Sequence, residues 1–325
     1  MFFGISLSIL VSVQSVCGNR SCPKKPQIGS GREAGGGNRR VYHDMTYSGM
    51  ICLDLDGTLL NREGKISSRN RESIQACLEW GIHVCFVTGR PYCFARSLAD
   101  TIDKRIGVIA CSGACYEYGG RLVTEELPDE AVRQFADCLE RSGAHAFFKG
   151  LTRFYTHDIY DERFLYDHHN SWFSKGLQVQ SFPGLSWQEL KARVCHIHKI
   201  LVYDADRKAL AELAKHTEKI AHVQVSWYRD ISFDVTAEGT DKGIAVEKVR
   251  LCLGLEKEQV LAIGDAWNDM PMFRSAGWRI AMGNAVKEVR DICDEITGSN
   301  EEDGVAEILE QAGRYFRAAG TGRFA

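Results

Sequence analysis

This chain has little proline and no large excess of either charge sign. It contains six prolines in 325 residues, and its 40 basic and 43 acidic residues give a net charge of −3. The composition as a whole is that of a globular protein, which excludes a collagen-like or wholly disordered chain. The balanced charge argues against a general nucleic-acid-binding protein, because such proteins carry a basic surface. We therefore expect no nucleic-acid partner.

The N-terminal region lacks an apolar run long enough to cross a membrane. Residues 1–16 are apolar, but they fall short of the ~20 residues that span a bilayer. We therefore expect no stable membrane association. Residues 1–48 hold six basic and two acidic residues and are glycine-rich after residue 18. We interpret them as a disordered extension. The alternatives are a signal peptide, although its basic n-region is missing, or a start upstream of the one used.

Twelve cysteines are present, but their positions do not suggest a disulfide scaffold. Cys52 and Cys85 lie inside apolar runs, where cysteine behaves as a small hydrophobic residue. Disulfide scaffolds are typically short and secreted. We predict reduced thiols and a cytoplasmic protein, with export as the alternative if residues 1–18 act as a signal peptide.

Apolar runs alternate with amphipathic segments in the first folded part of the chain. The pattern predicts strands at 50–55, 82–87 and 106–111, with helices between them. The same pattern returns later, with a helix at 240–253 and a strand at 260–263. Alternation of this kind indicates an α/β fold with a parallel sheet covered by helices on both faces.

The region between these two parts has a different character. It is rich in aromatic residues and histidine, and short strands are predicted at 145–149, 197–202, 223–227 and 232–235. We interpret it as a smaller α/β insertion with an antiparallel sheet. The predicted boundaries are 1–48 for the extension, 49–127 for the first part of the core, 128–230 for the insertion and 231–325 for the second part of the core.

Two carboxylates follow the first predicted strand. Asp54 and Asp56 are two residues apart, so their side chains point the same way at the strand exit. Open parallel sheets place their sites at such carboxyl ends. Close carboxylates repel each other unless a proton or a cation joins them, and Mg²⁺ prefers oxygen ligands. Gly57 allows a turn that exposes backbone N–H groups to an anion. A solvated turn is the structural alternative.

Further polar residues follow the other predicted core strands. Asp265, Asn268 and Asp269 come after the strand at 260–263, where they could bind a metal or cap a helix. Thr88 ends the strand at 82–87, where its hydroxyl could donate to a phosphate or cap a turn. Lys242 opens a helix, where a phosphate would be favoured, although an ordinary surface lysine is the alternative.

In this order, the motifs resemble those of the haloacid dehalogenase-like phosphatase superfamily. They are Asp54-x-Asp56-Gly57-Thr58, Thr88-Gly89-Arg90, Lys242-Gly243 and Gly264-Asp265-x-x-Asn268-Asp269. The chain looks most like the Cof-type branch, which are sugar-phosphate phosphatases. The resemblance implies a Rossmann-like parallel-sheet core with an inserted α/β cap domain. One departure is Ser112, which stands where the family often has asparagine.

The resemblance implies roles for these residues. Asp54 would be the nucleophile that forms an aspartyl-phosphate, and Asp56 the general acid and then base. Thr88 and Lys242 would hold the phosphoryl oxygens. The expected ligands of Mg²⁺ are Asp54, the backbone carbonyl of Asp56, Asp265 and Asp269. The expected phosphate- or substrate-binding residues are Gly57, Thr88, Gly89, Arg90, Lys242 and Asn268.

The predicted function is therefore a Mg²⁺-dependent phosphatase for small phosphorylated metabolites, with sugar phosphates as the expected class. One alternative is a phosphotransferase or phosphomutase of the same superfamily. A second is a non-catalytic metabolite-binding protein, although the nucleophile and metal ligands of the family are all present. No motif specifies the substrate or the oligomeric state.

Overall fold

A computed structural model of the chain describes residues 47–118, 121–159, 170–171, 173 and 176–318. The predicted extension at 1–48 lies almost entirely outside these residues. In chain order, the described strands are β1 (Gly49–Leu53), β2 (Ile82–Val87), β3 (Gly107–Ala110), β4 (Cys115–Tyr118), β5 (Arg121–Thr124), β6 (His145–Lys149), β7 (Arg153–Tyr155), β8 (Gln180–Phe182), β9 (Lys199–Tyr203), β10 (Val223–Arg229), β11 (Ser232–Ala237), β12 (Val260–Gly264), β13 (Trp278–Ala281) and β14 (Glu295–Ile296).

The described helices lie between these strands and after them. They are α1 (Ser68–Glu79), α2 (Tyr92–Asp100), α3 (Asp129–Ser142), α4 (Trp187–Arg193), α5 (Arg207–Thr217), α6 (Lys242–Cys252), α7 (Met270–Arg274), α8 (Lys287–Ile292), α9 (Gly304–Leu309) and α10 (Ala312–Ala318). Side-chain caps start several of them. The Ser67 side chain accepts from the backbone N–H of Asn70 at the start of α1, and Asp241 accepts from Ile244 at the start of α6. No helix in the described ranges is long and apolar enough to cross a membrane.

The larger sheet has the order β14-β13-β12-β1-β2-β3-β4-β5. The six strands from β14 to β3 pair in parallel, whereas β4 and β5 add an antiparallel edge. Every residue of β1, β2 and β12 is buried, as expected for central strands covered on both faces. The predicted parallel-sheet core is confirmed. Cys52 and Cys85 are buried in it as free thiols.

The smaller sheet has the order β10-β11-β9-β6-β7-β8 and is antiparallel except for the β7–β8 pair. Strands β6, β9, β10 and β11 occur where short strands are predicted, whereas β7 and β8 are not predicted. One face packs on α3 through Phe148, Ile200 and Phe233. Because strand side chains alternate between faces, Lys149, Lys199 and Asp234 belong to the opposite face.

The structure moves one predicted boundary. Strand β11 pairs with β9 and β10 of the smaller sheet, so the inserted region extends at least to Ala237. The prediction of a core segment from residue 231 onward is wrong at that end. The alternation of apolar residues in β11 fits either sheet, and only the strand with which β11 pairs decides between the two. The core and the insertion also touch through side chains, since Phe173 of the insertion packs edge-on against Phe94 of α2.

Candidate active site

The site lies at the carboxyl edge of the larger sheet. Strand β1 is central, with β12 on one side and β2 on the other, all in parallel. The residues that follow these three strands therefore meet at one edge. Asp54 follows β1, Thr88 follows β2 and Asp265 follows β12. The sequence motifs are thus brought together by strand order rather than by proximity in the chain.

Three buried carboxylates form the centre of the site. Asp54, Asp265 and Asp269 each offer an oxygen, and these oxygens lie within 4.8 Å of one another. Asp269 is fixed by the backbone, because its Oδ2 accepts from the N–H groups of Asp265 and Ala266, each at 3.0 Å. The Thr58 hydroxyl donates to Asp265 Oδ1 at 3.1 Å. These hydrogen bonds orient two of the three acids.

Lys242 connects two of these acids. It is the first residue of α6, and its Nζ donates to Asp54 Oδ1 and to Asp269 Oδ1, both at 2.6 Å. Its side chain is 1% exposed. Burial by itself would lower the pKa of Lys242, but Asp269 and Asp54 raise that pKa above its usual value. Lys242 is therefore a charged residue of the site rather than a surface lysine.

The charges at this centre do not balance. Burial, together with the negative charges of Asp269 and Asp265, raises the pKa of Asp54 well above its usual value, although Lys242 opposes the shift. Three carboxylates against one ammonium leave an excess of negative charge in a buried place. An all-oxygen donor set of this kind suits Mg²⁺. The residues therefore fit the metal that the sequence predicts.

Gly57 packs directly against the acidic cluster. Its φ is +83°, a left-handed conformation that favours glycine. A Cβ atom at this position would lie 2.5 Å from Asp265 Oδ2, so a side chain cannot be accommodated without a shift. The Gly57 carbonyl accepts a hydrogen bond from the Asn284 side chain at 2.7 Å. The turn after β1 is thus packed against Asp265 and hydrogen-bonded to Asn284.

Asp56 lies apart from the three clustered acids. Its carboxylate accepts two hydrogen bonds from Arg90, from Nε at 2.7 Å and from Nη2 at 2.5 Å. The Arg90 guanidinium also stacks over the Phe94 ring at 4.1 Å. Arg90, which the sequence predicts as a phosphate-binding residue, therefore orients the Asp56 carboxylate. The backbone carbonyl of Asp56 stays a predicted metal ligand.

The other predicted phosphate-binding residues lie on two turns. Thr88 is fully buried, and its Oγ1 accepts from the backbone N–H of Arg90 at 3.1 Å. Gly89 faces the smaller sheet, since a Cβ there would lie 3.2 Å from Lys199 Nζ. Asn268 lies on the 3₁₀ turn Trp267–Asp269, beside β10. Its Oδ1 accepts no hydrogen bond from any residue that the structure describes.

Sequence analysis did not single out several residues that shape this site. Thr58 is part of a motif, but its hydrogen bond to Asp265 is not predicted. Lys199 and Asp234 are charged residues within short apolar strands, and both are buried. A charge in such a strand is a usable signal, because burial of an unpaired charge is very unfavourable. Which charge pairs with which follows only from strand register.

Comparison with known proteins places the chain in a family. Residues 51–309 match the haloacid dehalogenase-like hydrolases, which is more than half of the chain. The protein belongs to this family. The resemblance to its Cof-type branch is confirmed, as is the fold of a Rossmann-like core with an inserted α/β cap. The smaller sheet with its helices is this cap, and the protein is an enzyme of the hydrolase class.

The match with individual relatives extends over nearly the whole length of each relative. A Bacillus subtilis protein named 5-amino-6-(5-phospho-D-ribitylamino)uracil phosphatase is 32% identical, over 82% of this chain and 99% of the relative. Pyridoxal phosphate phosphatase of Escherichia coli is 25% identical, over 80% and 97%. The solved structure of a haloacid dehalogenase-like hydrolase from B. subtilis superposes with a TM-score of 0.70 at 25% identity, covering 80% of this chain and 98% of the other.

Proposed function

We propose that this hydrolase is a Mg²⁺-dependent phosphomonoesterase that acts on small phosphorylated metabolites through an aspartyl-phosphate on Asp54. The contact that supports this most directly is the one between Asp54 and Lys242 at 2.6 Å inside a cluster of three acids. A buried carboxylate restrained by an ammonium is held in one orientation for attack on phosphorus. The relatives named as phosphatases support the same reaction class.

The metal would be held by Asp54, Asp265 and Asp269, together with the carbonyl of Asp56. When bound, Mg²⁺ would offset the repulsion between the Asp54 carboxylate and an incoming phosphate, and the charge of the phosphoryl group in transfer. Lys242 lies at the same centre and is proposed to contact the phosphoryl oxygens. Thr88, on the neighbouring turn, is proposed to donate its hydroxyl to another of these oxygens.

Asp56 is the proposed proton carrier. In the first step it would protonate the leaving alcohol, and in the second it would take a proton from the water that cleaves the aspartyl-phosphate. Its bidentate pair with Arg90 fixes the direction of the carboxylate. With 36% of its side chain exposed, Asp56 is the acid of the site that solvent and a leaving group can reach.

The substrate class follows from the cap. The cap sheet faces the Thr88–Arg90 turn through Lys199 and Asp234, so a leaving group would lie between the two layers. A polar cap face suits a leaving group with several hydroxyl groups, and we propose sugar phosphates or similar metabolites as substrates.

The free cysteines among the described residues favour a reducing compartment, and we propose the cytoplasm.

The proposal is tested by phosphate release from a panel of sugar phosphates and other small phosphomonoesters, with Mg²⁺ and with EDTA. We expect release that needs the metal and that falls at least about 10⁴-fold in Asp54→Asn. Asp100→Asn, at the end of α2, is the matched control and should keep full activity. Phosphate release by Asp54→Asn at the wild-type rate would contradict the mechanism.

A second experiment looks for the intermediate itself. Asp56→Asn removes the acid of the first step and the base of the second, but p-nitrophenyl phosphate has a leaving group that needs no protonation, so the aspartyl-phosphate should form from it and persist. Acid quenching followed by peptide mass spectrometry should then find one phosphoryl group on the peptide that contains Asp54. An isomeric sugar phosphate without free phosphate would instead indicate a mutase.

A further inference from the structure

A three-residue turn contacts both the segment that carries Thr88 and the segment that carries Lys242. Cys111, Ser112 and Gly113 follow β3, and all three have positive φ values of 51°, 56° and 98°. Consecutive left-handed residues are unfavourable for side chains other than glycine, so the turn needs external contacts to persist. On one side, the Ser112 N–H donates to the Thr88 carbonyl at 3.1 Å.

The other side of the turn touches the start of α6. A Cβ at Gly113 would lie 2.2 Å from the Asp241 carbonyl oxygen and 3.1 Å from the Lys242 nitrogen. Gly113 is therefore the close-approach residue that lets the turn pack on the backbone of Lys242. A shift of the turn would move the Thr88 segment, the Lys242 segment, or both.

One side chain of this turn reaches the cap. Ser112 Oγ donates to Asp234 Oδ2 at 2.6 Å, and Lys199 Nζ donates to the same oxygen at 2.9 Å. The three residues are 5%, 2% and 4% exposed. In a buried place, removal of either partner would leave an uncompensated charge, so the two side chains hold each other in one arrangement. Lys199 and Asp234 are on different cap strands, so the ion pair is part of the cap sheet.

We propose that Lys199, Asp234 and Ser112 form a positioning network through which the cap holds the Cys111–Gly113 turn. This inference rests on the proposed phosphatase function. The network touches no reacting atom in the proposed mechanism. It acts through the turn, which sets where Thr88 and Lys242 lie relative to Asp54. Phosphoryl transfer depends steeply on such placement, so loss of the network lowers the rate of the chemical step.

The test is Ser112→Ala, assayed with p-nitrophenyl phosphate and with the best substrate of the panel. We expect kcat to fall about tenfold on each of the two substrates. KM should change less than twofold, and the Mg²⁺ dependence should be unchanged. A loss confined to the panel substrate would show that Ser112 contacts the leaving group, and would overturn the proposal. An unchanged kcat on both substrates would also overturn it.

Two further variants separate positioning from folding. Ser97→Ala removes a buried serine hydroxyl from α2 and should keep kcat within twofold of the wild type. The double variant Lys199→Met/Asp234→Leu replaces the ion pair by apolar side chains of similar size, which buried sites often tolerate. We expect it to unfold in urea like the wild type but to lose kcat as Ser112→Ala does. Full kcat in the folded double variant would refute the network.

The outcomes distinguish this proposal from the function on which it rests. If Asp54→Asn abolishes phosphate release while Ser112→Ala keeps the full rate, only the positioning network fails. If Asp54→Asn keeps the full rate, the proposed mechanism fails first.

Discussion

Lys242 offers the most direct physical test of the site, because one buried ammonium holds two carboxylates. Lys242→Met removes the charge but keeps a long side chain, so little cavity is left. With contacts of 2.6 Å to Asp54 and Asp269, each attraction is about 6 kcal/mol at an effective dielectric of about 20, before desolvation is counted. Desolvation of the ammonium offsets most of this sum. We therefore expect a net loss of about 3–5 kcal/mol in the free energy of unfolding, as when one partner of a buried pair is removed.

The loss should depend on pH and on Mg²⁺. Without Lys242, the pKa of Asp54 rises further above its usual value, because the ammonium that lowers it is gone. An acid with a raised pKa in the folded state destabilises the fold as pH rises above the pKa of the unfolded chain. The deficit of Lys242→Met should therefore grow with pH between the pKa that Asp54 has in the wild type and the higher pKa that it has in the variant. Mg²⁺ should recover more stability in the variant than in the wild type, because it supplies the missing positive charge.

The measurement is urea unfolding in EDTA and in Mg²⁺ at pH 6 and pH 8, followed by circular dichroism. Lys208→Met is the control, since Lys208 is an exposed lysine near the start of α5. Its effect should stay within about 0.5 kcal/mol. If the free energy of unfolding of Lys242→Met fell by less than about 1 kcal/mol in EDTA at pH 8, the Lys242 ammonium would not be stabilising the two buried carboxylates.

Three other predictions follow from single contacts. Gly57→Ala should cost more stability than Gly64→Ala in urea unfolding, since both residues have positive φ but only at Gly57 does a Cβ lie 2.5 Å from a carboxylate oxygen; equal losses would contradict the close approach. Burial lowers the pKa of His83 to about 4, so stability should fall by up to about 3 kcal/mol as pH drops from 6.5 to 4, because the unfolded chain binds the proton first; His83→Phe should flatten this slope. Arg90→Lys cannot keep the bidentate pair with Asp56, so kcat for phosphate release should fall about tenfold, or about 1.4 kcal/mol, with little change in urea midpoint.

The edge of the sheet that carries the candidate site is predictable from sequence because its signals are local. An apolar run that ends in Asp54 or Asp265 marks a strand exit, and parallel strands bring their exits to one edge. The position of Lys242 at a helix start leaves open whether it binds phosphate or lies on the surface, and only the resemblance favours the site, because such a lysine is usually on the surface. Its burial depends on the two acids, which come from other parts of the chain.

The cap is less predictable for a physical reason. Its strands are short, so alternation alone does not say which sheet they join. The predicted boundary at 231 places β11 in the core, whereas the strand pairs with β9 and β10. The ion pair of Lys199 with Asp234 depends on the same register. A shift of one residue would place either charge on the apolar face.

The separation along the chain between Asp54 and its ammonium partner has a consequence during synthesis. Their side chains meet across 188 residues, and Thr58 meets Asp265 across 207. At about 5–20 residues per second, the ribosome delivers Lys242 some 10–40 s after Asp54. During that interval the first strands and the cap are synthesised, but the three-acid centre does not exist. A nascent or truncated chain without Asp265 and Asp269 therefore lacks the proposed metal site, whatever part of it has already folded.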